Sequence, residues 1–350
     1  MDAQKKHIFM ICNPLLDISV ECNDNSLLEK YALQHGQAIL AGPEHMPMYD
    51  ELWGMEGRLA IPGGSGMNSA RAANFMLKAQ DHANHVTYFG SIGNCNKGES
   101  LKQALVDEGV IGNFHIDTEL PTGTCACIIV KNERAMCANL AAACKYNIDH
   151  LHNNMDTLRA ASIIYATGFF ITSNAPALHE IGQFASDNNI PFGLNLSAVF
   201  LIQFEFANLS KALEHADYVF ANEDEAAAFG TSQGMEGAPL QDIAKALAKW
   251  TKSNTARPRV AIITYGAKPV IVATCVAGSE EVDLIEYELP ALTGPLVDTN
   301  GAGDAFVGGF FSQLMQGADI PTCIKAGIYL SAEVVQRSGC NFPEQMTWKQ

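Results

Sequence analysis

The segment Asp298-Thr-Asn-Gly-Ala-Gly-Asp304-Ala-Phe-Val-Gly-Gly-Phe-Phe concentrates residue types suited to phosphoryl chemistry. Gly301 and Gly303 permit a tight turn and a close approach of ligand to backbone, and the residues after them read as a helix. Unpaired N–H groups at that helix start, with the dipole behind them, form an anion site that needs no Lys or Arg. Asp304 stands at the mouth of this site. A carboxylate there could orient a substrate hydroxyl and take its proton as it attacks phosphorus. The same residues also read as a glycine turn with Asp304 capping the helix.

A second glycine turn, Pro62-Gly63-Gly64-Ser65-Gly66-Met67-Asn68, opens another helical pattern. Its glycines would let a ligand press on the backbone, and the Asn68 amide could face hydroxyls; a bare helix start is the alternative. Asn222-Glu-Asp-Glu225 follows the strand pattern Tyr218-Val-Phe-Ala. Asn222 and Glu225 share a helix face and could hold magnesium through water, or simply cap the helix. Asn13-Pro14-Leu-Leu-Asp17 ends the first strand, where the Asp17 carboxylate could take two vicinal hydroxyls; an Asx turn is the alternative. Phe169-Phe170 offers a stacking wall for a flat base, or ordinary core.

Two other phosphate-binding loops are ruled out. No Gly-Lys dipeptide occurs, so there is no Walker loop. Phe306 stands where a dinucleotide fingerprint needs its third glycine. His82-x-x-His85 and His150-x-His152 lack the cysteine or carboxylate company of a metal site.

These residues need a scaffold. Strand patterns at 7–12, 86–90, 162–166, 191–196, 217–221 and 259–264 alternate with helix-length segments near 66–79, 97–109, 175–188, 239–253, 304–316 and 320–336. Near-continuous apolar strands alternating with helices predict a mainly parallel α/β sheet covered on both faces. Residues 17–62, and a hairpin at 119–141 with a polar tip at 131–134, break the rhythm. They are assigned to a small β-rich lid, leaving 1–16, 63–118 and 142–350 as the large domain.

Composition narrows the partners. A net charge of −16 over 350 residues argues against a nucleic-acid footprint, and no apolar run reaches the ~20 residues of a membrane span. The ten cysteines are scattered without a Cys-x-x-Cys, which fits buried thiols in a reducing, cytoplasmic setting. A monomer is expected.

Taken together, Gly-Gly-x-x-x-Asn early and Asp-Thr-x-Gly-Ala-Gly-Asp late resemble the paired signatures of the ribokinase-like carbohydrate and nucleoside kinases. Asn-Pro-Leu-Leu-Asp-Ile-Ser (13–19), Pro-Thr-Gly-Thr-Cys-Ala (121–126), Leu-Asn-Leu-Ser-Ala (194–198) and Gly-Cys-Asn-Phe-Pro (339–343) are similar to the eukaryotic adenosine kinases within that family. The resemblance implies transfer of the γ-phosphoryl of ATP, with Mg2+, to the 5′-hydroxyl of adenosine. It implies Asp304 as base, Gly301, Ala302 and Gly303 as anion hole, and Arg134 as a cation reaching the phosphoryl. Asp17, Gly63, Gly64 and Asn68 would face the ribose; Asn13, Gln37, Phe169 and Asn195 would complete the nucleoside site. Thr264, Gly266 and Asn300 fall where ATP would lie, and Asn222 with Glu225 matches a magnesium-associated pair. Asn94, Ile328, Met136 and Cys137 depart from the family pattern, the last two within the surface expected to touch the nucleoside.

Overall fold

The computed structural model describes residues 7–35, 38–79, 85–131 and 133–349, without the side chains of Ala38, Glu133 and Arg134. Gln37 and His82 lie outside the described residues.

Fourteen strands are described. In chain order they are β1 Ile8–Ile11, β2 Leu15–Cys22, β3 Ala38–Leu40, β4 Leu59–Gly63, β5 Val86–Gly93, β6 Ile111–Asp117 and β7 Thr124–Val130. Then follow β8 Glu133–Asn139, β9 Ile163–Thr167, β10 Phe192–Asn195, β11 Tyr218–Asn222, β12 Arg259–Tyr265, β13 Lys268–Cys275 and β14 Asp283–Tyr287. Nine of them form one sheet in the order β14-β13-β12-β11-β10-β9-β1-β5-β6. From β12 to β6 every pairing is parallel. Strands β1, β5 and β9 are buried along their whole length, because helices cover both faces. The antiparallel additions β13 and β14 extend the sheet beyond the predicted strands.

The helices that matter for the site are α1 Ser65–Lys78, α2 Asn96–Glu108, α3 Glu223–Ser232, α4 Ala302–Gln316 and α5 Ile320–Val334. Among these, α1, α4 and α5 pack together: Gly308 of α4 lies against Ala72, and Gly309 against the Ala326 carbonyl. A methyl group at either glycine would collide with the neighbouring helix, so both are packing glycines.

The smaller sheet runs β3-β8-β7-β2-β4. Along β2, Leu16, Ile18 and Val20 are buried, while Asp17, Ser19 and Glu21 point the other way. Its core also takes Leu28, Met48, Tyr49 and Leu52 from helices Ser26–Lys30 and Met46–Gly54, which sequence patterning did not reveal. The pairings β2–β7 and β3–β8 are parallel. A parallel pair needs a long crossover, and here the chain makes it by leaving for the large sheet after β4 and returning at β7.

Two expectations about the hairpin need correction. Arg134 was placed at a polar tip, but β8 begins at Glu133 and Arg134 pairs with Ile129 inside the ladder. Lys131, just after β7, adopts φ +50. Cys137, expected near the nucleoside, is fully buried in the smaller sheet's own core, its carbonyl taking a 3.0 Å hydrogen bond from the Tyr49 hydroxyl. Alternation along β8 sends Met136 to the opposite face from Cys137, so only Met136 looks toward the large sheet.

Candidate active site

Strands that run parallel end at the same edge of a sheet, and loops beyond that edge collect ligand-binding groups. Asn13 follows β1, Phe169 follows β9, Asn195 ends β10, Asn222 ends β11 and Thr264 lies near the end of β12. Asn222 and Thr264 are register partners, side by side. The start of α4 closes this edge. A cavity of about 350 Å3 results, lined by Phe169, Asn195, Asn222, Glu225, Thr264, Asn300, Gly301, Gly303 and Asp304 from the residues singled out above. Ser65, Ser197, Phe220, Ala221, Thr299, Phe306 and Val307 line it too. None of the seven was singled out as a site residue, although Thr299, Phe306 and Val307 lie within the 298–311 segment, Ser65 within the glycine turn at 62–68, Ser197 within 194–198, and Phe220 and Ala221 in the strand before Asn222.

Helix α4 is capped by Gly301 in the left-handed region, φ +76, so Asp304 is not the cap. It stands in the first turn instead. Its carboxylate accepts from the Ser65 hydroxyl (2.7 Å to Oδ1) and the Asn68 amide (3.0 Å to Oδ2). Burial pushes the Asp304 carboxyl above its usual range, and the two donors partly offset that. The carboxylate is thus fixed in place while its basicity is raised.

The glycine turn at 62–68 is built around contact. A side chain at Gly63 would overlap the Asp17 carboxylate, and Gly64 holds φ +89 with the Asn13 carbonyl oxygen 2.5 Å from where a Cβ would sit. Asp17 pairs with Cys125 and Ile61 in the ladder and belongs to the face turned away from the smaller sheet's core. Asn13 is buried and donates to the Phe169 carbonyl (3.1 Å) and Thr172 (3.0 Å), while its Oδ1 is buried without a partner. Asn195 accepts from the Ser197 N–H at 2.7 Å, with Ser197 at φ +73. Gly266, φ +52, makes the turn between β12 and β13, and Thr264 leans on the Ala221 carbonyl at 3.4 Å. Asn300 donates to the Met136 sulfur at 3.6 Å, a contact from the α4 loop to the smaller sheet. Asn13, Asp17, Gly63, Gly64, Asn68, Gly266 and Ala302 are not part of the cavity wall itself.

Asn222 and Glu225 form a reciprocal capping box on α3. Glu225 N–H donates to Asn222 Oδ1 at 2.8 Å, and the Asn222 N–H and amide donate to the Glu225 carboxylate at 3.1 and 3.0 Å. The capping alternative is therefore realised. Burial is the main cause that pushes the Glu225 carboxyl up to about 7; the nearby Asp304 charge adds to it.

The pfkB family carbohydrate kinase model matches residues 57–347. The chain belongs to this family. Within the family it is 40% identical over 336 residues to adenosine kinase 2 of Arabidopsis thaliana, covering 95% of this chain and 94% of that one. Adenosine kinase from Anopheles gambiae, solved with P1,P4-di(adenosine-5) tetraphosphate, superposes with a TM-score of 0.87 at 36% identity, over 99% of this chain and 100% of that one. Adenosine kinase from Schistosoma mansoni, solved with adenosine in an occluded loop conformation, gives 0.86 at 28% identity, over 97% of each chain. The chain is an ATP-dependent kinase of the adenosine kinase branch, with the ribokinase-like α/β fold of these relatives. No helix among the described residues is long and apolar enough to cross a membrane.

Proposed function

We infer that this kinase transfers the γ-phosphoryl of ATP to the 5′-hydroxyl of adenosine, giving AMP and ADP. The observation that carries the reading is the Asp304 carboxylate, held by two donors in the first turn of a helix whose start lines the same cavity. Asp304 takes the hydroxyl proton as the oxygen bonds to phosphorus and the bond to ADP breaks. The first-turn N–H groups around Gly301, Ala302 and Gly303 hold the moving phosphoryl. Asp17, the Gly63–Gly64 backbone and Asn68 take the ribose; Asn13, Gln37, Phe169 and Asn195 take the purine, with the unpaired Asn13 Oδ1 as an acceptor for a ligand N–H. Thr264, Gly266 and Asn300 receive ATP. The smaller sheet, residues 17–62 and 119–141, closes as a lid and brings Arg134 to the phosphoryl. The protein acts as a monomer in the cytoplasm; its ten free cysteines suit a reducing compartment.

Mg2+ needs hard oxygen donors but usually keeps waters and phosphate oxygens among its ligands. No cluster of three acidic, His or Cys residues exists among the described residues, and the single buried carboxylate of Glu225 beside Asn222 fits such a sparse protein contribution. The ion would neutralise charge on the phosphates. A carboxyl near 7 must lose its proton to help a cation. The Mg2+ concentration for half-maximal rate should therefore rise as pH falls from about 8 to about 6 in the wild type. In Glu225→Gln that concentration should be nearly independent of pH and close to the wild-type value at about pH 6, so that the two proteins differ most at about pH 8. An identical titration for the two proteins would leave Glu225 as a cap alone.

Coupled ADP release with adenosine, 2′-deoxyadenosine, inosine and ribose tests the reading. A site that pairs a ribose hydroxyl with Asp17 should reject the 2′-deoxy form by about 10²-fold or more in kcat/KM. Ribose used as well as adenosine would make this a sugar kinase. No ADP from any acceptor would make it a nucleotide-binding protein without turnover.

A further inference from the structure

Arg71 has no place in the reaction as derived above, yet its contacts join both glycine turns to the residues that hold Asp304. It lies on α1, 3% exposed, and each of its three guanidinium nitrogens donates to a partner inside the protein. Nε and Nη2 form a two-pronged pair with Glu108 at the end of α2, both at 2.7 Å. Nη1 reaches three acceptors: the Pro62 carbonyl at 2.9 Å, the Cys340 carbonyl at 3.1 Å and Asn68 Oδ1 at 3.3 Å. The ring of Phe342 lies 5.5 Å from the guanidinium carbon.

Each Nη1 partner leads to the site. Pro62 precedes the Gly63–Gly64 turn. Cys340 packs on Gly301, the cap of α4, where a Cβ would come within 2.6 Å of the cysteine Cβ. Asn68 is the informative partner. A carboxamide has a donor end and an acceptor end, and nothing in its shape says which way round it sits. A guanidinium has donors only. Oδ1 must therefore face Arg71, and the NH2 group must face the Asp304 carboxylate, as found at 3.0 Å. Turned over, the amide would set an oxygen against the carboxylate and an NH2 against the guanidinium, two repulsive contacts replacing two good ones.

We propose that Arg71 is a positioning residue for phosphoryl transfer: it dictates the orientation of the Asn68 amide that holds Asp304, and clamps the glycine turn at 62–68 to the C-terminal turn behind Gly301. Glu108 supplies the countercharge that lets a cation sit buried there. Lysine cannot replace this arrangement, because a single ammonium cannot span Glu108, two carbonyls and the amide at once.

The proposal rests on Asp304 acting as the base toward adenosine, so wild-type turnover of adenosine is measured first. Its absence would count against that reading, not against the role of Arg71 in placing Asn68. The test is a cycle of Arg71→Lys, Asn68→Ala and the double variant, with kcat at saturating adenosine and ATP and a melting temperature for each. Arg71→Lys should lower kcat by roughly 10- to 100-fold, the scale expected when a reacting group is misplaced. On the Asn68→Ala background the same substitution should cost less than about 3-fold, because the partner it acts through is gone. A lowered melting temperature with unchanged kcat, or equal kcat losses on both backgrounds, would overturn the proposal. Should Arg71→Lys fail to fold, Glu108→Gln, at a residue whose side chain is one-third exposed, carries the same cycle with a smaller loss.

Discussion

Asp304→Asn is expected to lower kcat by about 10²–10⁴-fold while leaving adenosine affinity within a few-fold. Asparagine keeps the volume and can still accept from Ser65, but it cannot receive the proton of the attacking hydroxyl. Stability should move the other way. Burial raises the folded-state pKa of Asp304 above its unfolded value, so its contribution to stability is present below the unfolded pKa and is lost as pH rises through the folded pKa. At neutral pH and above, the ionised carboxylate is a cost that the neutral amide does not carry. One penalty remains, since the new NH2 group must avoid the Asn68 NH2, which Arg71 prevents from turning. The variant should therefore melt at the wild-type temperature or slightly above it at pH 8, with the advantage fading toward acid. A purely structural Asp304 predicts the reverse pairing, a destabilised protein that turns over normally. Steady-state kinetics and thermal melts on one preparation distinguish the two, and near-normal kcat in a folded variant would end the catalytic assignment.

The second large effect separates two glycines that look equivalent in Gly-Ala-Gly. Gly301 occupies φ +76 and faces Cys340 with no room for a methyl, whereas Gly303 has nothing within 4 Å of where its Cβ would be. Gly301→Ala must either abandon the left-handed cap or push the C-terminal turn away. It should cost about 1–3 kcal/mol of stability and, by misaligning the first-turn N–H groups, about 10²–10³-fold in kcat. Gly303→Ala should fold as stably as the wild type, within about 0.5 kcal/mol, and any effect should appear as a raised KM for ATP, since the methyl enters the cavity. Urea unfolding midpoints and kcat for the pair read this directly. A Gly301→Ala protein with wild-type midpoint and turnover would show that the cap plays no part in holding the anion site.

The comparison of expectation with structure turns on distance along the chain. The six predicted strands and six long helices are present, because alternation and amphipathic periodicity are local and burial simply follows them. Patterning missed the two short helices inside 17–62, and the edge strands β6, β13 and β14, whose places depend on β5 and β12 already being there. Arg134 was misplaced by the polarity of Lys131-Asn-Glu-Arg134, which reads as a four-residue tip. Pairing with the apolar β7 overrode that and drew Glu133 and Arg134 into the ladder.

By itself, the sequence determined the α/β class, the two glycine turns, the candidate base and the absence of the other phosphate loops. All of these are set by residue type at spacings of a few positions, where backbone freedom and helix dipoles act. The tertiary structure alone decided that Ser65 and Asn68 hold Asp304 from more than 230 positions away, that Arg71 orients Asn68, and that Gly301 rather than Gly303 is the packed glycine. It also decided that Cys137 turns inward while Met136 meets Asn300. Such facts follow from strand order and register: a parallel sheet gathers its strand ends at one edge whatever their order in the chain, and one step of register turns a side chain to the other face.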